Sequence, residues 1–297
     1  MSDTLNIKQR SLFTEILTLI KYRLSLSVVF SSVASYLIAF EVFSLLTFTL
    51  LILGGFFVVG ASNGFNQIIE RNRDALMTRT LNRPLPTGSL NVNQAILVCL
   101  ILSFLGLFML YTINFRTAFF GFVSMIIYLA IYTPLKPITP LSVFFGAIPG
   151  AIPFMLGWVA VTNKFSIETG ILFMIQFFWQ FPHFWAIGWV SHDDYIKAGF
   201  KMLPSGKRDN STAFQIVFYT IWMILVSTLP YFSFTGDFTI GLYSLLLILA
   251  SGCFMLFQAI RLMKYKDKQN AIRLMYTSIF YLSFIQIIFV IDKFIFQ

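Results

Sequence analysis

The sequence predicts an all-α polytopic membrane protein in which nine transmembrane helices surround a central cavity, with the N-terminus cytoplasmic and the C-terminus outside. Three observations predict it. The 297 residues are 58% hydrophobic and only 11% charged, with a mean hydropathy of +0.80; a soluble domain carries roughly a quarter charged residues. Charges cut the chain into nine long uncharged runs, 24–40, 42–69, 84–115, 117–135, 137–163, 169–191, 210–236, 238–260 and 274–291. A crossing takes about 20 apolar residues, so each run holds one and none comfortably holds two. With the N-terminus inside, 18 of the 21 basic residues fall in cytoplasmic segments and only Arg116, Lys164 and Lys293 fall outside, the asymmetry that orients polytopic proteins.

The chain opens with a polar stretch, about residues 1–16, which lacks the short apolar core and cleavage site of a signal peptide and reads as a cytoplasmic leader. Connections on the outer side are short and no extramembrane stretch runs much beyond 20 residues, so 1–297 reads as a single integral membrane domain. The net charge of +9 follows from basic residues gathered on the cytoplasmic side, with no basic tail or module that would point to nucleic acid. Cys99 and Cys253 lie inside apolar runs with neither metal-ligand spacing nor disulfide logic. Any chemistry must therefore sit where the helices meet the cytoplasm.

The end of the second run carries the densest chemistry. Asn66 to Pro86 reads N-Q-I-I-E-R-N-R-D-A-L-M-T-R-T-L-N-R-P-L-P in a chain with only 12 acidic residues. At about 100° per residue, Asn66, Glu70 and Asp74 share one helix face. That oxygen-rich face suits a hard cation such as Mg²⁺, which takes carboxylates together with substrate phosphate oxygens. The neighbouring Arg71, Arg73, Arg79 and Arg83 suit a polyanion, so a metal-assisted diphosphate site at a membrane surface is one reading. A charged, positively biased connection between two membrane helices is the other.

The sixth run ends in W-Q-F-P-H-F-W-A-I-G-W-V-S-H-D-D-Y-I-K-A-G-F-K-M-L-P, residues 179–204. It places His183 inside the membrane segment, where ionisable groups tend to face a bundle interior or cavity; a hydrogen-bonded packing role is the plainer alternative. Asp193 and Asp194 follow at the cytoplasmic end and, being adjacent, point about 100° apart. One of them would complement the first loop, or both would form surface ion pairs with Lys197; Lys201 lies in the same loop. L-P-T-G at 85–88 and L-P-S-G at 203–206 echo each other at an offset of 118 residues, which hints at a duplicated four-helix unit. Lys136, in Y-T-P-L-K at 132–136, is either a further phosphate contact or a positive-inside anchor. The run G-A-I-P-G-A-I-P at 146–153 permits close helix approach and a kink. The aromatic run from Phe177 to Trp185 would suit a wall that stabilises a carbocation, or a surface that stacks on a flat macrocycle.

In combination, Asn66, Glu70 and Asp74 at spacings of four, R-T-x-x-R-P-L-P from Arg79, Y-T-P-L-K from Tyr132, G-A-I-P-G from Gly146, P-H-F-W from Pro182 to Trp185 and D-D-Y-x-x-A-G-x-x-M-L-P from Asp193 resemble the intramembrane aromatic prenyltransferase (UbiA) superfamily, over about residues 20–290. The R-T-x-x-R-P-L-P, P-H-F-W and D-D-Y-x-x-A-G blocks point to its haem-using branch. The resemblance implies a Mg²⁺-dependent enzyme of the bacterial cytoplasmic membrane, its active site facing the cytoplasm, that joins the farnesyl group of farnesyl diphosphate to a vinyl group of haem B to give haem O. It implies metal and diphosphate binding by Asn66, Glu70 and Asp74, with Asp193 or Asp194 as a second acidic site. Arg71, Arg73, Arg79, Arg83, Lys136, Lys197 and Lys201 become the candidates for diphosphate, and His183 with Trp185 for haem. A haem A synthase or terminal oxidase would be the partner that takes the product. Glu70 departs from the Asp often found in the first motif, which lengthens that ligand arm. Prenylation of a quinone precursor and, in a different class, a membrane transporter are the competing readings.

Overall fold

The computed structural model describes residues 11–232 and 234–296. The described chain is helical throughout: α1 (Leu12–Leu19), α2 (Tyr22–Ala39), α3 (Leu45–Asp74), α4 (Pro84–Thr87), α5 (Val92–Ile113), α6 (Phe115–Ile126), a π-helical stretch (Ile127–Tyr132), α7 (Thr133–Leu135), α8 (Ser142–Thr162), α9 (Ile167–Val190), α10 (His192–Lys197), α11 (Asn210–Thr228), α12 (Leu242–Tyr265) and α13 (Lys268–Phe296). Of the expected leader, residues 1–10, with Lys8 and Arg10, lie outside the described residues. Leu12–Leu19 is already helical and buries Glu15 and Leu19, so helix is present within the stretch that polarity alone reads as a leader.

Among the described residues, eight helices are long and apolar enough to cross a membrane. The sixth run forms α9, a helix of 24 residues, but it is not among the eight. Gln176, Gln180, His183 and Pro182 fall within it and dilute its apolar content. Its polar groups are spent inside the bundle: Gln176 Nε2 donates to Gly150 O at 2.9 Å and Gln180 Nε2 to Ala147 O at 2.8 Å. In lipid such groups must find protein partners.

Neighbours in sequence pack as neighbours in space, α2 on α3, α3 on α5, α5 on α6, α8 on α9, α9 on α11, α11 on α12 and α12 on α13, and α13 returns against α2. The strong pairings of α2 with α8 and of α9 with α13 bring four helices to the centre. At the centre, α8 has 78% of its apolar window buried. Ser32 Oγ donates to Pro153 O at 2.8 Å, and a Cβ on Gly157 would stand 2.0 Å from Ser32 O, so the small residue lets α2 and α8 touch backbone to backbone. The missing N–H of Pro153 leaves the Pro149 carbonyl without its helical donor, and Ser124 Oγ of α6 supplies one at 3.2 Å.

The echo at 118 residues is structural. Val92 and Asn210, 118 apart, each begin a helix, and Gly88 and Gly206 close the two L-P-x-G turns at φ 73° and 74°. The order α2, α3, α5, α6 is repeated as α8, α9, α11, α12, with α13 added.

Candidate functional site

One end of the bundle holds a cavity of about 310 Å³, walled by α3 and its following loop, the π-helical stretch with Lys136 just after α7, the end of α9, α10 with the loop after it, and the start of α2. Asn66, Glu70 and Asp74 all line it. Their spacing on α3 is what puts them there, and each is almost fully buried, at 1%, 4% and 1% exposure.

Each carboxylate meets a cation. Lys136 Nζ lies 2.8 Å from Glu70 Oε1 and 3.0 Å from Oε2. Burial alone would lower the pKa of Lys136, but the Glu70 carboxylate outweighs it and holds the ammonium above the ordinary lysine value. Arg83 Nη1 donates to Asp74 Oδ2 at 2.7 Å, while Asp74 Oδ1 is buried with no hydrogen-bond partner. Arg79 completes the basic lining; its Nη2 donates to the Tyr195 hydroxyl at 2.8 Å and its guanidinium lies 4.9 Å from that ring. Arg79, Arg83 and Lys136 thus reach the cavity as the sequence leads one to expect.

A fourth cation, Lys21, lines the same cavity from the turn between α1 and α2, where it adopts a left-handed φ of 47°. Desolvation, then repulsion by Arg83 and Lys136, brings its pKa down to about 7 against the pull of Glu70 and Asp74. In the sequence it was counted only towards membrane orientation, since nothing in its neighbourhood signals a contact with a loop 60 residues on.

Other expected residues lie elsewhere. Arg71 Nη1 donates to Ile68 O at 3.2 Å on its own helix, and Arg73 sits 5.7 Å from the Phe200 ring, behind a residue that lines the cavity. Asp193 and Asp194 do not line the cavity. Asp193 pairs with Arg208 at 3.1 Å. Asp194 accepts from Thr78 Oγ1 at 3.1 Å and from Arg79 N at 3.4 Å, with Lys197 3.6 Å away, and so joins the second loop to the first. Burial opposes its charge, but the Thr78 and Arg79 donors and Lys197 hold the carboxyl below its usual value. Lys201 Nζ donates to Ile138 O at 3.1 Å.

Of the expected aromatic run from Phe177 to Trp185, Phe184 lines the cavity. Phe178, Phe181 and Trp185 share the face of α9 that packs on Tyr219 of α11. The aromatic side chains that line the cavity are Tyr128, Tyr132, Phe184, Tyr195 and Phe200. Tyr132 is seated by Gly146, where a Cβ would come within 2.6 Å of its ring, and Lys136 Nζ lies 4.5 Å from its centroid.

His183 and Trp185 stand beside the cavity without lining it. The His183 ring stacks on Trp179, centroids 4.6 Å apart, and its Nδ1 meets Ser278 Oγ at 2.8 Å. That hydroxyl's single proton is already donated to Met275 O at 2.7 Å. Towards His183 it accepts, so Nδ1 carries the hydrogen and Nε2 keeps the lone pair.

The cavity thus brings together two carboxylates, four basic side chains and an aromatic surround at one end of a helical bundle. The chain belongs to the UbiA prenyltransferase family, which it matches over residues 27–285. It is similar to the protoheme IX farnesyltransferase of Christiangramia forsetii, 55% identical over 285 residues that cover 96% of this chain and 95% of that one. It is also similar to the protein of the same name from Flavobacterium psychrophilum, 52% identical over 289 residues and 96% of each chain. Among solved structures, digeranylgeranylglyceryl phosphate synthase superimposes with a TM-score of 0.78 at 21% identity, covering 95% of this chain and 98% of that one. A UbiA homologue from Archaeoglobus fulgidus bound to DMAPP and Mg²⁺ gives 0.74 at 16% identity, covering 94% and 98%. At these identities the structures speak to the fold.

Proposed function

We propose that the protein transfers the farnesyl group of farnesyl diphosphate to a vinyl group of haem B, releasing diphosphate and giving haem O. The observation that carries this reading is the convergence of Asn66, Glu70, Asp74, Lys21, Arg79, Arg83 and Lys136 on one cavity, in a chain so similar over nearly its whole length to protoheme IX farnesyltransferases. The cations hold the diphosphate, and their charge favours its departure. The allylic cation left behind meets the faces of Tyr128 and Tyr132 and the wall of Phe184. The vinyl carbon attacks C1 of the farnesyl group, and water adds to the porphyrin-side carbon with loss of a proton, which leaves a hydroxyethylfarnesyl substituent.

Mg²⁺ is the cofactor in this reading. Among the described residues no three His, Cys, Asp or Glu side chains form a metal cage, but Mg²⁺ is commonly held by one or two carboxylates plus substrate phosphates. Glu70, the unpartnered Oδ1 of Asp74 and the Asn66 carbonyl fit that pattern. When bound, the ion acts as a Lewis acid that neutralises charge on the leaving diphosphate. His183, one helical turn from the cavity-lining Ile187, would offer Nε2 to the porphyrin iron, while Trp185 packs on Tyr219 of α11. Asp194 is assigned to joining the two loops.

In the same reading α9 crosses beside the eight apolar helices, the N-terminus is cytoplasmic and the C-terminus outside. The cavity opens towards the cytoplasm of a bacterial inner membrane, and a haem A synthase or terminal oxidase takes the product. Membranes containing the protein, given haem B, farnesyl diphosphate and Mg²⁺, should form haem O detectable by mass spectrometry. Prenylation of a quinone precursor with haem B left untouched would overturn the assignment.

A further inference from the structure

We propose that Thr133 is a positioning residue that fixes the amide of Asn66 with its carbonyl oxygen towards the cavity and its amino group away from it. The inference rests on the site reading above and deepens it.

It starts from Pro134. A proline inside a helix lacks its N–H and its ring presses on the carbonyl four residues back. Just before it, α6 widens into the π-helical stretch Ile127–Tyr132, a form that relieves such crowding and often occurs at functional sites. In the widened turn the Tyr128 carbonyl accepts from the Thr133 N–H and also from the Thr133 hydroxyl at 2.8 Å.

A threonine hydroxyl has one proton to give. Here it is given to Tyr128 O, so the hydroxyl can only accept from any other neighbour. That neighbour is Asn66 Nδ2, at 3.1 Å. Both residues are 1% exposed. The flipped amide would set two acceptor oxygens against each other with no proton between them. Pro134 therefore selects, through Thr133, which end of Asn66 the cavity receives, and the end it receives is the one a hard cation takes.

The test is binding of Mg²⁺ with inorganic diphosphate to the full-length protein in detergent, measured by titration calorimetry beside thermal unfolding without ligand. Thr133→Val keeps the shape and drops the hydroxyl; its affinity should fall about tenfold, as for loss of a fixed ligand, and its unfolding temperature should also fall because the buried Asn66 Nδ2 loses its acceptor. Thr133→Ser keeps the hydroxyl and should stay within about twofold of wild type. Thr133→Ala is measured alongside and should behave as Thr133→Val does. In an Asn66→Ala background, Thr133→Val should cost nothing more. Binding by Thr133→Val equal to wild type, Thr133→Ser as weak as Thr133→Val, or a further loss in the Asn66→Ala background each overturns the inference while the site reading stands. No binding by the wild-type protein overturns both.

Discussion

At an offset of 118 residues, the positions that match Asn66, Glu70 and Asp74 of the first half are Phe184, Gly188 and His192 of the second. The two halves share their helix order and their L-P-x-G turns, yet only the first turns carboxylates into the cavity. Phe184 lines the same cavity with an apolar ring, and Gly188 gives room to Leu203, whose Cδ2 would lie 3.0 Å from an added Cβ. The acidic pair of the second half comes later: Asp193 is exposed beside Arg208 and Asp194 ties to Thr78 and Arg79 outside the cavity. A duplicated frame has thus been divided between tasks, one half holding charge and the other supplying apolar wall, as suits a substrate with an anionic head and a hydrocarbon body.

The sharpest way to break that comparison is to remove a carboxylate from each half. Asp74→Ala should lower haem O formation in membranes by at least about a hundredfold, the scale of losing one electrostatic contact to a developing charge. Asp193→Ala, whose partner Arg208 is a surface group, should stay within about twofold. Equal losses at the two positions would erase the division between the halves.

A second test concerns stability. Lys136→Met leaves Glu70, 4% exposed, as an uncompensated buried carboxylate, and breaking such a pair costs about 3–5 kcal/mol. The expected outcome is a clear drop in unfolding temperature in detergent, largely recovered in Glu70→Gln/Lys136→Met. If the double variant were as unstable as the single one, the pair would not be the source.

Lys21 gives a smaller effect with a definite sign. In the ligand-free protein its pKa is about 7, and an anionic diphosphate beside it must raise that value. The bound form then takes up a proton, so affinity is full below about pH 7 and declines as pH rises from there towards the bound-state value. Diphosphate affinity measured from pH 6 to 9 should fall by up to about tenfold, and Lys21→Met should flatten the profile. An unchanged slope in Lys21→Met would assign the titration to another group.

Much of this was legible in the sequence because lipid imposes strict rules: crossings must be apolar, and charges collect at one face. Asn66, Glu70 and Asp74 were legible because four-residue spacing on a helix needs no knowledge of the rest of the chain. The aromatic wall is only partly legible because F-F-W-Q-F-P-H-F-W carries aromatics all round α9, and only packing reveals that Phe178, Phe181 and Trp185 turn to α11 while Phe184 turns to the cavity. Lys21 feels the charge of Arg83 and Thr133 bonds to Asn66, each more than 60 residues away, and no local pattern announces them. Adjacency shows that only one of Asp193 and Asp194 can face the first loop, and packing reveals that it is Asp194.

The mildest variant bears on that direction. Asp194→Asn keeps the shape but weakens the contacts to Thr78, Arg79 and Lys197. A half-buried pairing of this kind contributes about 1 kcal/mol at most, so the apparent KM for farnesyl diphosphate should rise no more than about fivefold, with kcat little changed. The folded-state pKa of Asp194 lies below its ordinary value, so its contribution is complete above that ordinary value and is lost only as pH falls through the folded-state one; between pH 5 and 8 the ratio of variant to wild type should stay constant. A loss in kcat as deep as that of Asp74→Ala would instead place Asp194 among the groups that meet the diphosphate, and the second half would carry charge as the first does.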